Sequence, residues 1–173
     1  ALAADLIGAA GMAAIGDQTW AGFLVDLTAA LPGTRFTRAS EITAPLRMVK
    51  DSAKVGALRL AAAAVDRILA DVQPGNVALA GRTESAVAAE IAQRIFDEGH
   101  RKVNFTIVAS GPNAASPHHE AGDPLLRHGY CVLFDSRGTM DGCDGVGHRS
   151  DITPCVYLGD APARFPDLST VLP

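Results

Sequence analysis

Residues 130–158 read YCVLFDSRGTMDGCDGVGHRSDITPCVYL. Tyr130–Phe134 is an apolar run with the aromatic and β-branched character of a strand. The stretch from Gly138 to Gly147 is rich in Gly and Asp. His148–Leu158 then returns as a second strand, with Pro154 suited to an edge or a bulge. Together they predict a β-hairpin with a long connection. Asp135 and Asp151 lie equally far from Cys143. Pairing about that midpoint makes them cross-strand neighbours on one face, with Cβ atoms roughly 4.5–5.5 Å apart. Carboxylates that close repel unless a cation sits between them. Oxygen ligands at this spacing suit a pair of divalent ions, which lie about 3.5–4 Å apart in two-metal hydrolases. The competing reading is that Asp residues beside Gly are turn formers.

Upstream of the hairpin, Val103–Ser110 is β-rich, and a loop over 110–122 carries the adjacent pair His118 and His119 after Pro117. A loop His can shuttle a proton, bind substrate or ligate a metal. Adjacent residues of an extended segment point opposite ways, so at most one of the pair faces a site. The alternative is two exposed polar loop residues. Asp141–Gly145 lacks the register and closing Glu of a calcium loop and reads as a turn. Gly81-Arg82-Thr83-Glu84 reads as the start of a helix, because the Gly-x-x-x-x-Gly-Lys pattern of a phosphate loop is missing.

That helix is expected over 83–98, with Val87, Ile91 and Ile95 on one face, Thr83 as N-cap and Gly99 just past its end. A second helix precedes it. Val55, Leu58, Ala62, Val65, Leu69 and Val72 step by three and four, and Gln73-Pro74-Gly75 ends the run. Before it, the chain alternates in an α/β pattern too small to be a complete domain. Leu2–Ala10 looks helical and Met12–Gly16 is a short apolar run. Gln18–Ala30 is an amphipathic helix carrying Trp20, Phe23, Leu24 and Leu27, and Thr34–Ser40 is a weak strand. Residues 162–173 read as the start of another helix.

The chain has 173 residues, room for one domain or one domain plus a fragment. With 48% hydrophobic residues and 20% charged, it can build a core and is not disordered. A net charge of −4 excludes a generic basic nucleic-acid binder and a polybasic membrane patch. No run has the length of a membrane span, and Asp5 interrupts the apolar N-terminus, so it does not read as a signal peptide. Cys131, Cys143 and Cys155 contain no CxxC pair. This argues against a disulfide framework or a zinc finger and for a reducing compartment, hence a cytoplasmic location. Cys131 and Cys155 fall in the predicted strands and are expected to be buried thiols. The chain starts at Ala1, as a processed terminus or a piece of a longer protein would.

Four blocks in order resemble the pita-bread metallopeptidases, the family of methionine aminopeptidase, Xaa-Pro dipeptidase and creatinase. They are Leu46-Arg47-Met48-Val49-Lys50-Asp51, then Gly81-Arg82-Thr83-Glu84, then Ile107–Ala115 running into Pro117-His118-His119, and last Ser150-Asp151-Ile152-Thr153. The Xaa-Pro dipeptidase branch is the most similar. The resemblance implies an α+β fold. Residues 46–173 would form the first half of a pita-bread domain, helices over a curved antiparallel sheet. Residues 1–45 would be the end of a preceding α/β domain. It implies that Asp135 and Asp151 are metal ligands, Asp151 bridging two divalent ions (Mn, Co or Zn), and that His118 contacts substrate and handles the proton. The implied reaction is hydrolysis of a peptide bond next to proline, by a metal-bound water of lowered pKa. The implied partners are a proline-containing peptide and, family members often being dimers, a second copy of the chain; nucleic acid and membrane are not among them.

The chain also departs from the family pattern. Fifteen residues separate Asp135 from Asp151, five more than is usual, and the extra length falls around Cys143–Gly147. Ser136-Arg137 replaces an apolar residue and Gly, and an Arg there is expected to pair with Asp135 in competition with a metal. Pro154 stands in place of the usual Arg and Tyr130 in place of the usual Asp. The remaining family ligands, one His and two Glu, lie in the second half of the domain, beyond Pro173. The expectation is therefore part of a metallopeptidase, inactive as the isolated 173 residues. The alternative is a degenerate relative that serves as a binding or oligomerisation module.

Overall fold

The computed structural model describes residues 2–8, 10–73, 75–143 and 145–163. The helix expected over 162–173 lies almost wholly outside them. The chain divides into two compact units, Ala1–Asp51 and Ser52–Pro173.

The first unit contains α1 (Leu2–Ile7), β1 (Met12–Ile15), α2 (Ala21–Ala30), β2 (Arg35–Arg38) and α3 (Ser40–Met48). β1 and β2 pair in parallel, Met12 opposite Arg35, and the crossover that parallel strands require is made by α2. Helix α3 is not expected from the sequence, because Pro45 lies inside it and removes a backbone donor. Its first turn is held by Asp17, which accepts from Ser40 N at 3.1 Å and Ser40 Oγ at 2.6 Å. These bonds lower the Asp17 pKa. The apolar spacing of α2 is as expected, but its burial is not. Trp20 and Phe23 are exposed and stack on each other at 6.2 Å.

The second unit contains α4 (Ser52–Val72), α5 (Glu84–Asp97), β3 (Lys102–Ser110), a 3₁₀ turn (Gly111–Ala115), β4 (Cys131–Asp141), β5 (Gly147–Ile152) and β6 (Cys155–Tyr157). The Thr83 side chain caps α5, accepting from Ala86 N at 3.1 Å. Gly99 takes φ +94° after its end, a conformation that glycine adopts without strain. Strand β4 is central. It pairs antiparallel with β3 on one side, and with both β5 and β6 on the other. The single second arm expected over 148–158 is thus two short strands. They part at Pro154, whose carbonyl accepts from Phe134 N at 3.0 Å.

Successive residues of β4 alternate between faces. Val132 and Phe134 are buried in one cluster with Ile68 and Val72 of α4 and Val87, Ile91 and Ile95 of α5. Cys131, Leu133, Asp135 and Arg137 are half-buried on the opposite face. Two helices cover one face of an antiparallel sheet, a layered α+β arrangement. The buried stripe of α4 is Ala61, Ala64, Val65, Ile68 and Val72. Only Val65 and Val72 of the expected stripe are fully buried. In this alanine-rich helix several faces are apolar, and packing against the sheet selects one.

Ser136 faces the helices. It is 2% exposed, and its Oγ has no hydrogen-bond partner among the described residues. Its neighbours include Ile68, Ile95, Phe134 and Pro154. A buried hydroxyl left unpaired costs about 1–3 kcal/mol. Ser136→Ala is therefore expected to raise stability by about 1 kcal/mol, read as a higher urea midpoint at unchanged slope. An unchanged or lower midpoint would count against the orphaned hydroxyl.

The three cysteines are free. Cys131 is half-buried, its thiol pushed up to about 11 by burial and by neighbouring Cys155. Cys155 is exposed rather than buried as expected, because β6 lies at the sheet margin. Among the described residues no helix is long and apolar enough to cross a membrane.

Candidate active-site cleft

An open cleft of about 610 Å³ lies where β3 and β4 meet the start of α5 and the segment 118–121. His118, Asp135 and Arg137 line it, with Phe105 of β3 and Ala88 of α5. Two of the three site residues expected from the sequence, His118 and Asp135, are therefore brought together.

His118 is exposed and has φ +58°, the only positive value at a non-glycine among the described residues. A side chain rarely accepts that backbone, and such strain clusters at functional sites. Because His118 sits in a turn and not in an extended segment, the expectation that at most one of the pair faces a site is not met, and His119 lines the cleft as well. Its Nε2 lies 2.8 Å from Oε2 of Glu84.

Glu84 is fully buried at the first turn of α5. Its Oε1 accepts from Ser110 N at 2.9 Å, Ser110 Oγ at 3.1 Å and Asn113 Nδ2 at 3.2 Å. Burial acts to raise its pKa, but the bonds from His119, Asn113 and Ser110 outweigh burial and hold the carboxyl below its ordinary 4.5. The carboxylate thus ties the end of β3, the 3₁₀ turn and His119 to one point. In doing so it sets the loop that presents His118.

The hairpin register differs from the expected one. Met140 pairs with His148 and Arg137 with Asp151, so the midpoint is residue 144 instead of 143. Strand β4 also runs on through Gly138–Asp141, where a loop is expected, so the connection is short. In consequence Asp135 and Asp151 share a face but are diagonal neighbours, a relation that sets residues roughly 7–8 Å apart, their Cβ atoms somewhat less. Directly opposite Asp151 stands Arg137. Its Nε donates to Asp151 Oδ2 at 3.0 Å, and its Nη2 donates to the same oxygen. The Arg is expected beside Asp135; the register gives it to Asp151. Asp135 Oδ1 accepts from Thr153 Oγ1 at 3.3 Å.

Among the described residues no three His, Cys, Asp or Glu side chains converge on one point. A divalent ion takes about four to eight ligands. Two carboxylates, one of them held by a guanidinium, do not make such a set, so the described residues do not by themselves fit a metal pair.

Sequence reasoning missed Glu84 as a site-organising residue, although a signal was present. Glu84, Val87, Ile91 and Ile95 recur at three and four residues, so a carboxylate sits on the apolar stripe of α5. A charge on a buried stripe requires partners.

Comparison with known proteins bears on the whole arrangement. The family described as metallopeptidase family M24 matches residues 56–171. A probable dipeptidase PepE from Mycobacterium tuberculosis is 41% identical over 92% of this chain and 40% of its own length. An Xaa-Pro dipeptidase from Pyrococcus horikoshii is 26% identical over 80% of this chain and 38% of its own. The crystal structure of dipeptidase PepE from Mycobacterium ulcerans superposes with a TM-score of 0.83 at 40% identity, over 96% of this chain and 43% of that one. This chain therefore spans about two fifths of the length of these relatives. The helix-covered antiparallel sheet is part of a pita-bread domain, and the chain belongs to metallopeptidase family M24.

Proposed function

We propose that this chain supplies part of the catalytic domain of a dinuclear-metal peptidase that hydrolyses Xaa-Pro peptide bonds, and that the 173 residues alone are inactive. The observation that carries the reading is the cleft in which His118 and Asp135 meet. In it His118 contacts the peptide and handles the proton, a task that suits an exposed imidazole on a fixed loop. Asp135 and Asp151 are ligand positions for two divalent ions (Mn, Co or Zn), with the remaining donors supplied from outside this chain. Such ions, when bound, polarise a carbonyl and lower the pKa of a water. The substrate class is a proline-containing peptide, in keeping with the name of the Pyrococcus relative. A homodimer and a cytoplasmic location complete the reading, the latter supported by three free thiols.

A chimera tests this. The present chain replaces the corresponding part of Mycobacterium tuberculosis PepE, and release of proline from Ala-Pro is measured at saturating Mn²⁺. Hydrolysis by the chimera is expected, with none by the 173 residues. His118→Ala is expected to lower kcat by about 10²–10³. A folded, metal-loaded chimera that releases no proline would sink the proposal. It would favour the second reading, a non-catalytic module, which the Arg137–Asp151 pair supports.

A further inference from the structure

We infer that Arg137 is a built-in cation that occupies Asp151 and keeps divalent ions off it. The inference rests on the reading of Asp135 and Asp151 as ligand positions, and it explains why this chain's residues do not fit a metal.

The register clamps Arg137 from both sides. On β4 it stands opposite Phe105 of β3 and opposite Asp151 of β5. The guanidinium lies over the Phe105 ring, 5.1 Å from its centroid. It turns two donors on one oxygen of Asp151. Cation–π stacking on one flank and a charge-assisted pair on the other hold a side chain that is otherwise costly to order. Asp135 is two residues along the same face, in the same cleft as Arg137.

The charges lead to the same conclusion. Asp135, Asp151 and Arg137 together carry one negative charge, where two bound divalent ions would need both carboxylates without a competitor. A divalent ion bridging to Asp151 must displace Arg137 from Oδ2. The displaced guanidinium would then remain beside a dication, tethered to the same strand, and repel it. Glycine at this position, the usual family residue, carries no such charge.

The test is a Mn²⁺ titration of the full 173-residue chain, with the free ion followed by its electron paramagnetic resonance signal. Wild type is compared with Arg137→Gln, Arg137→Met and the double variant R137Q/D151N. Arg137→Met retains packing on Phe105, and urea unfolding of each variant shows that it folds. Both single variants are expected to bind Mn²⁺ at least ~10-fold more tightly than wild type, and Asp151→Asn is expected to abolish the gain. Equal affinity in wild type and both single variants would overturn the inference, as would a gain that survives Asp151→Asn. Failure here leaves hydrolysis by the chimera at saturating Mn²⁺ unaffected, whereas an inactive chimera leaves the titration unaffected, so the two claims fail separately.

Discussion

Replacing Glu84 by Ala is expected to lower the unfolding free energy by about 3–5 kcal/mol, because it strips a buried carboxylate from the groups that were dehydrated to meet it. Ser110 N and Oγ, Asn113 Nδ2 and His119 Nε2 would all lose their acceptor. Glu84→Gln keeps the shape and one acceptor oxygen but turns an amide N–H₂ toward Asn113, and should cost about 1–2 kcal/mol. Urea unfolding at neutral pH measures both. Hydrogen exchange adds a local readout, with amides over 110–119 expected to lose protection in Glu84→Gln before those of α4 do. Uniform protection loss, or an Ala variant as stable as wild type, would remove the anchor role.

The same carboxylate predicts an acid response. Its folded pKa lies below 4.5, so the folded state binds this proton less readily than the unfolded one. The stabilisation is fully present above 4.5 and is lost as the pH falls through the depressed folded value. Glu84→Gln should therefore show a flatter stability profile than wild type below 4.5. Parallel profiles there would contradict the assignment.

The second large effect is expected at Gly138, in the middle of β4. A Cβ there would lie 2.4 Å from His100 Cδ2 and 2.9 Å from Ile95 Cγ2. His100 cannot yield easily. It is 3% exposed, with Nδ1 on Ile95 O at 3.1 Å and Nε2 on Ser150 Oγ at 2.9 Å. Burial pushes its pKa down, against smaller upward effects of the Ile95 carbonyl and Glu98, so it is held as a neutral pin between α5 and β5. Gly138→Ala gains some backbone entropy, but overpacking dominates, and a net loss of about 2–3 kcal/mol is expected in thermal or urea unfolding. His100→Ala in the Gly138→Ala background should recover part of that loss, a coupling that a double-mutant cycle isolates. Additive costs would mean that the methyl group is accommodated elsewhere.

Both residues show what can be read along the chain and what cannot. Gly138 looks like the opening glycine of a Gly- and Asp-rich loop, and only the packed imidazole of His100 reveals a strand position that excludes a side chain. Glu84 looks like an ordinary first-turn acid, favoured beside the positive end of a helix. Its three partner residues, Ser110, Asn113 and His119, lie 26 to 35 residues further on. Arg137 was legible as a competitor for a carboxylate, yet its choice of Asp151 over Asp135 depends on a midpoint shifted by one residue, which moves every cross-strand pair by two.

The amino-acid sequence by itself determined α4 and α5, the strands that flank the His118 loop, the hairpin and the family blocks. These rest on apolar spacing, helix caps and turn residues, all of which act within a few positions of one another. Only the tertiary structure decided the register of β4 with β5, the apolar stripe of α4 that is buried, the burial of Glu84 and the Arg137–Asp151 pair. Those follow from which side chains meet across the sheet and under the helices, and the residues that meet are separated by tens of positions along the chain.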